Sequence, residues 1–105
     1  MPVLAKPLVV WTAVAYLAVV LAAKGLGNLG AGARGAAEAQ IEQALELDGA
    51  SPYVRLAKAR LSLASFEADF AVDELRALLE EAPDYGAAWS LLGDIEVTRD
   101  RLVEA

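Results

Sequence analysis

The side chains of this chain that could do chemistry are nearly all carboxylates. It holds 15 Asp and Glu against 9 Lys and Arg, with no Cys and no His, in 105 residues. Without thiol or imidazole there are no disulfides, no Ser–His or Cys–His nucleophiles, no Cys/His zinc site and no His-ligated haem. Acids pair along the chain at Asp73 and Glu74, at Glu80 and Glu81, and at Asp94 and Glu96. Paired carboxylates can relay protons, or hold Ca²⁺ or Mg²⁺ when a loop presents oxygens at the right spacing. None of these pairs lies in an EF-hand-like loop, and each reads as the solvated face of an acidic helix. No catalytic, cofactor-binding or metal-ligating residue is assigned. The cations Arg55, Lys58 and Arg60 cluster and are candidates for meeting a partner's carboxylates, against the plainer reading of surface ion pairs. A net charge of −6 argues against nucleic acid as a partner.

The elements carrying these groups divide into two physical kinds. Residues 1–35 contain Lys6, Lys24 and Arg34 and no acid, whereas residues 36–105 hold all 15 acids. The front half contains Leu8 to Ala23, sixteen residues with no charge, Gly or Pro. That is about 24 Å of helix at 1.5 Å per residue, and Val3, Leu4 and Leu26 lengthen it toward a bilayer core of about 30 Å. Lys6 and Lys24 can snorkel from its ends, and Trp11 lies where an indole suits the interface. Tyr16, at mid-span, is expected to pack against a neighbour. A cleaved signal peptide and a buried core helix are the competing readings. A single-pass anchor over residues 1–24 is preferred, because the rest of the chain is too small to wrap such a helix on all sides. Ala15, Ala18, Ala22 and Gly25 line one face and form a candidate stripe for packing against another membrane helix. The near-even distribution of Lys and Arg only weakly favours a cytoplasmic N-terminus with the acidic part outside.

Residues 25–35, GLGNLGAGARG, contain five glycines. They are expected to form a flexible linker. A phosphate-cradling loop is rejected, since no strand precedes the segment and no Gly-Lys-Ser/Thr follows.

From Ala36 the apolar period is helical. One helix carries Ala37, Ile41, Ala44, Leu45 and Leu47 and ends at Asp48 and Gly49, with Gly49 expected to be left-handed. A second starts at Ser51 and Pro52 and reaches about Ala64. A third covers about Asp69 to Ala82. A fourth, capped by Asp84, carries Trp89, Leu92, Ile95 and Val97. Sustained period-two alternation is absent, so an all-α fold is expected. Ala37, Ala71 and Ala105 recur at thirty-four residues. So do Ile41 and Leu75, Ala44 and Leu78, Leu45 and Leu79, and the helix-ending Gly49 and Pro83.

With Trp89, Leu92 and Gly93 opening one unit, and Ala59, Ala71, Leu75 and Pro83 in the preceding one, residues 36–105 resemble the tetratricopeptide repeat family. Leu102 and Ala105 continue the pattern. Glu96 stands where Tyr is usual, Arg55 where Trp is usual, and Phe66 and Asp100 at a turn place that is often Gly. The resemblance implies an antiparallel helix-pair solenoid, incomplete in this chain, with a concave surface that binds proteins or peptides. It places Arg55, Lys58 and Arg60 on the helix lining that groove. Trp89, Leu75 and Leu92 are expected as core.

The whole reads as an accessory or scaffold subunit of a bacterial inner-membrane complex, without catalytic activity. Its membrane helix would meet lipid and other membrane subunits, and its repeat domain a protein or peptide. The alternative is a transient membrane-anchored adaptor for secretion or for assembly of complexes such as c-type cytochromes.

Overall fold

The computed structural model describes the backbone of residues 8–104 and the side-chain surroundings of residues 9–99. Lys6, Val3 and Leu4, and the side chains of Asp100, Leu102 and Ala105, lie outside that range. Five helices follow one another: α1 (Leu8–Gly30), α2 (Arg34–Asp48), α3 (Pro52–Ala64), α4 (Ala68–Glu81) and α5 (Gly86–Glu104). No strand occurs among the described residues, so the fold is all-α.

The helix ends repeat. Arg34 and Ala68 open α2 and α4, Pro52 and Gly86 open α3 and α5, and Gly30 and Ala64 close α1 and α3. Each pair is thirty-four residues apart. Burial follows the same step, with Ala37 and Ala71, Ile41 and Leu75, Ala44 and Leu78, Val54 and Ala88, and Leu61 and Ile95 all inside.

Two apolar cores result, and α3 serves both. Val54, Ala57 and Leu61 join Ala18 and Ala22 of α1 and Ile41 and Ala44 of α2. Leu56 and Ala59 join Ala71, Val72, Leu75, Leu78 and Leu79 of α4 and Ala88, Leu91, Leu92 and Ile95 of α5. A short α3 with apolar residues on two faces is therefore sandwiched, as its sequence of Val, Leu, Ala, Ala and Leu between three cations permits.

The Gly-rich stretch departs from its expected role. It is helical through Gly30, and only Ala31, Gly32 and Ala33 form the turn into α2, with Gly32 at φ 85°. Packing overrides propensity here. A Cβ at Gly25 would lie 2.6 Å from Ile41 Cγ1 and 3.2 Å from the Ala37 carbonyl oxygen, so the missing side chain is what lets α1 and α2 touch. Leu26 and Leu29 press on the same core. The second half of α1 is thus part of the acidic domain rather than tethered to it. α2 and α3 cover one face of residues 18–29, while Val19, Ala23, Lys24 and Gly27 stay exposed, so the helix is not wrapped on all sides.

The turns carry their own logic. Pro52 occupies the first turn of α3, where its missing N–H costs nothing, while Ser51 makes no side-chain cap bond. Gly49 is right-handed at φ −71° and ψ −10°, not left-handed as its position suggested. Between α3 and α4, Glu67 N–H donates to Ser62 O at 2.9 Å and Phe66 N–H to Leu63 O at 3.1 Å. This is the Schellman pattern, with Phe66 at φ 63° in the place that favours Gly. Trp89 also differs from expectation. It is 54% exposed, and its Nε1–H donates to Pro83 O at 2.7 Å, stapling the α4–α5 turn from outside rather than filling the core. Leu75 and Leu92 do lie in the core.

Candidate functional site

An open cleft lies between α1 and α3. Leu26, Leu29 and Gly30 form one wall; Tyr53, Leu56, Arg60, Leu63 and Ala64 form the other, around a volume of about 590 Å³. The residues come together because α1 and α3 end level with each other. Arg34 fixes that level, its Nη1 donating to Ala64 O at 3.2 Å. Asn28 Nδ2 donates to Gln40 Oε1 at 2.6 Å and locks the α1–α2 register nearby.

The three cations singled out in the sequence do not share this face. Arg55 Nη1 pairs with Glu81 Oε2 of α4 at 2.9 Å, and Lys58 Nζ with Glu42 Oε1 of α2 at 3.5 Å. Both point toward the even-numbered helices and are engaged there. Only Arg60 lines the cleft, and no ion pair holds it among the described residues. A cluster read along the chain thus splits, because residues 55, 58 and 60 fan out around a helix at 100° per step.

Arg60 has aromatic company that sequence reasoning missed. The Tyr85 phenol is pushed above its ordinary value of 10.0, chiefly by burial and also by Tyr53, with Arg60 pulling the other way. Tyr53 lines the cleft with Arg60, and Tyr85, packed against the neighbouring core, is near enough to feel both. Tyr53 and Arg60, seven residues apart in α3, share a helix face by spacing alone, whereas nothing in the sequence signalled Tyr85 as their neighbour. The arrangement can receive an apolar segment bearing a carboxylate or carbonyl.

A second apolar hollow, about 400 Å³, lies beside the α3–α4 turn among Leu63, Phe66, Ala68, Leu91, Ile95 and Arg99. Phe66 is 92% exposed there and Phe70, nearby in α4, 63%. Among the described residues no three acids converge as metal ligands.

The small-residue stripe finds its partner inside the chain. Ala18, Ala22 and Gly25 are buried and Ala15 is half-buried, with α2 seated on Gly25. A face occupied by α2 is not open to a foreign membrane helix, so that packing is a correction to the expected intermolecular role. Tyr16, expected against a neighbour, is 72% exposed. By length and composition Val9–Gly30 could cross a membrane.

Compared with known proteins, the chain matches no family model, no curated protein and no solved structure.

Proposed function

We propose that this chain is a non-catalytic scaffold subunit of a bacterial membrane complex, holding a helix-pair interaction domain at the membrane surface through α1. The observation that carries this reading is the continuity of α1. Its first half is apolar and exposed at Val9, Val10, Trp11 and Leu17, while its second half is the core of the acidic domain. The domain therefore cannot swing away from whatever holds the first half.

The thirty-four-residue recurrence of helix ends and of buried positions supports a tetratricopeptide-like arrangement. In such an arrangement the cleft at Tyr53 and Arg60 would take a protein segment. The mechanism is tethering: confinement beside a partner raises its effective concentration with no chemistry required.

Mild-detergent affinity purification of the chain from native membranes, read by quantitative mass spectrometry, tests the proposal. A fixed-ratio set of membrane proteins is the expected result. Substoichiometric, mixed clients would replace it with a transient adaptor for secretion or assembly. Arg60→Glu should weaken recovery of the soluble partner while leaving α1-dependent membrane recovery in place. Equal recovery of every partner would remove the cleft from the binding surface.

A further inference from the structure

We infer that this chain pairs with a second copy of itself through the outer face of α5, the two helices crossing antiparallel at Gly93. The pairing requires neither the membrane nor the cleft reading above.

The thirty-four-residue step puts three small residues at one structural position: Gly25 on α1, Ala59 on α3 and Gly93 on α5. Two of them already have a helix seated on them. Ile41 and the Ala37 carbonyl of α2 press on Gly25, and Ala59 is buried with Ala71 and Leu75 of α4. Their neighbours on the same face follow. Ala22 and Leu29 of α1 pack into one core, and Leu56 and Leu63 of α3 into the other. The counterparts on α5, Ser90 and Val97, are exposed, and a Cβ at Gly93 would meet nothing within 4 Å. Helix α5 packs chiefly on α4, through Ala88, Leu91, Leu92 and Ile95, which leaves this face bare. The chain thus shows twice what such a face receives: an antiparallel helix, brought close by a small side chain.

The order of side chains on α5 selects a second copy as that helix. Trp89 lies four residues before Gly93 and Val97 four after, and they are 54% and 50% exposed. At about 100° per residue, Trp89, Ser90, Gly93, Glu96 and Val97 fall in one stripe about 120° wide. Large, small, large reads the same in reverse. A twofold axis at Gly93 therefore sets Trp89 of each copy level with Val97 of the other, which is the self-complementarity an isologous pair requires. The indole is already held by its bond to Pro83 O at 2.7 Å, so pairing costs it little freedom. Glu96, at the edge of the stripe, has Arg76 Nη2 at 3.3 Å within its own copy, which offsets its charge. One helix face is a small interface, so the association is weak. With a net charge of −6 on each copy, it should tighten as salt is added.

The chain has no Cys, so single-Cys variants report without background. In antiparallel helices paired at Gly93, Ser90 of one copy stands within one residue's rise of Val97 of the other, on the same side. The two Ser90 residues are about 9 Å apart along the axis and the two Val97 residues about 12 Å, at 1.5 Å per residue. A mixture of Ser90→Cys and Val97→Cys, each in the full chain in mild detergent, should therefore form the mixed disulfide at least about tenfold faster than either variant cross-links alone. Sedimentation velocity of the wild type should show a dimer that grows with concentration. Gly93→Leu should raise its dissociation constant at least about tenfold without lowering the melting temperature, because the position is open in the single chain. Equal cross-linking rates, or a dimer that survives Gly93→Leu, would overturn the inference in favour of pairing through another face. A monomer at every concentration would overturn it as well, and leave the α5 face to a helix of different sequence.

Discussion

Gly25 and Gly93 stand sixty-eight residues apart, twice the repeat, yet their surroundings are opposite. Gly25 is pressed against Ile41, while nothing lies within 4 Å of a Cβ built at Gly93. Opposite signs follow for substitution. Gly25→Val should destabilise the fold by about 1–3 kcal/mol, because neither Ile41 nor the Ala37 carbonyl can move without parting the helices. Gly93→Ala should stabilise it by about 0.5–1 kcal/mol, since it removes only unfolded-state freedom from an open helix position. Urea denaturation of both variants checks the pair. Phe66 gives a third test: with φ 63° and an almost wholly exposed ring, Phe66→Gly should gain about 1 kcal/mol. If it does, a ring retained at a strained position is there for contact rather than for folding. Tyr85 adds a pH dependence. Its folded value is raised, so the neutral phenol is favoured in the fold. That contribution is complete below the unfolded value near 10 and is lost as pH climbs through the folded one. Wild-type stability should therefore fall more steeply above pH 10 than that of Tyr85→Phe.

Among the elements, α1 separates what the sequence makes legible from what it conceals. Helix α3 is legible because Pro52 and the Ser65 turn bracket a clear period, and α4 because its apolar residues keep a clean 3.6-residue spacing over Val72, Leu75, Leu78 and Leu79. The Gly-rich end of α1 is concealed. Five glycines in eleven residues argue for a linker on local propensity alone. Only the facing Ile41, sixteen residues away, turns Gly25 into a contact. The candidate site is concealed for a related reason. Arg55, Lys58 and Arg60 look alike along the chain, and it takes Glu81 and Glu42 on the flanking helices to claim two of them. Truncation puts the division of α1 to the test. A chain beginning at Ala18 should keep its helicity and melt cooperatively, because the first core is intact. One beginning at Ala31 exposes Ile41, Ala44, Val54 and Leu61 together and should lose its cooperative transition. Circular dichroism melts of the two distinguish them. Equal behaviour would mean that α1 contributes nothing to the domain.

At the scale of the whole molecule the long dimension is 63 Å and the short one 17 Å, a slab of helices lying side by side. Its acids outnumber its cations, and four of them, Glu38, Glu42, Glu46 and Asp48, lie on α2, which packs directly on α1. Binding to anionic vesicles should therefore be weaker than to neutral ones at low ionic strength, with the difference shrinking as salt is added. Co-sedimentation at two salt concentrations measures it, and stronger binding to anionic lipid would contradict the charge argument. The sharing of α1 between two surroundings also has a directional meaning. Because α2 and α3 pack on α1, while α4 packs on α3 and α5 on α4, a bilayer that held α1 upright would make the array run along the bilayer plane. Phe66 and Phe70, at the α3–α4 turn, would then stand about 20 Å from the rim where α3 begins, the length of a thirteen-residue helix at 1.5 Å per residue. The fold would act as a gauge of height, admitting at that rim only partners whose own surface reaches the same level.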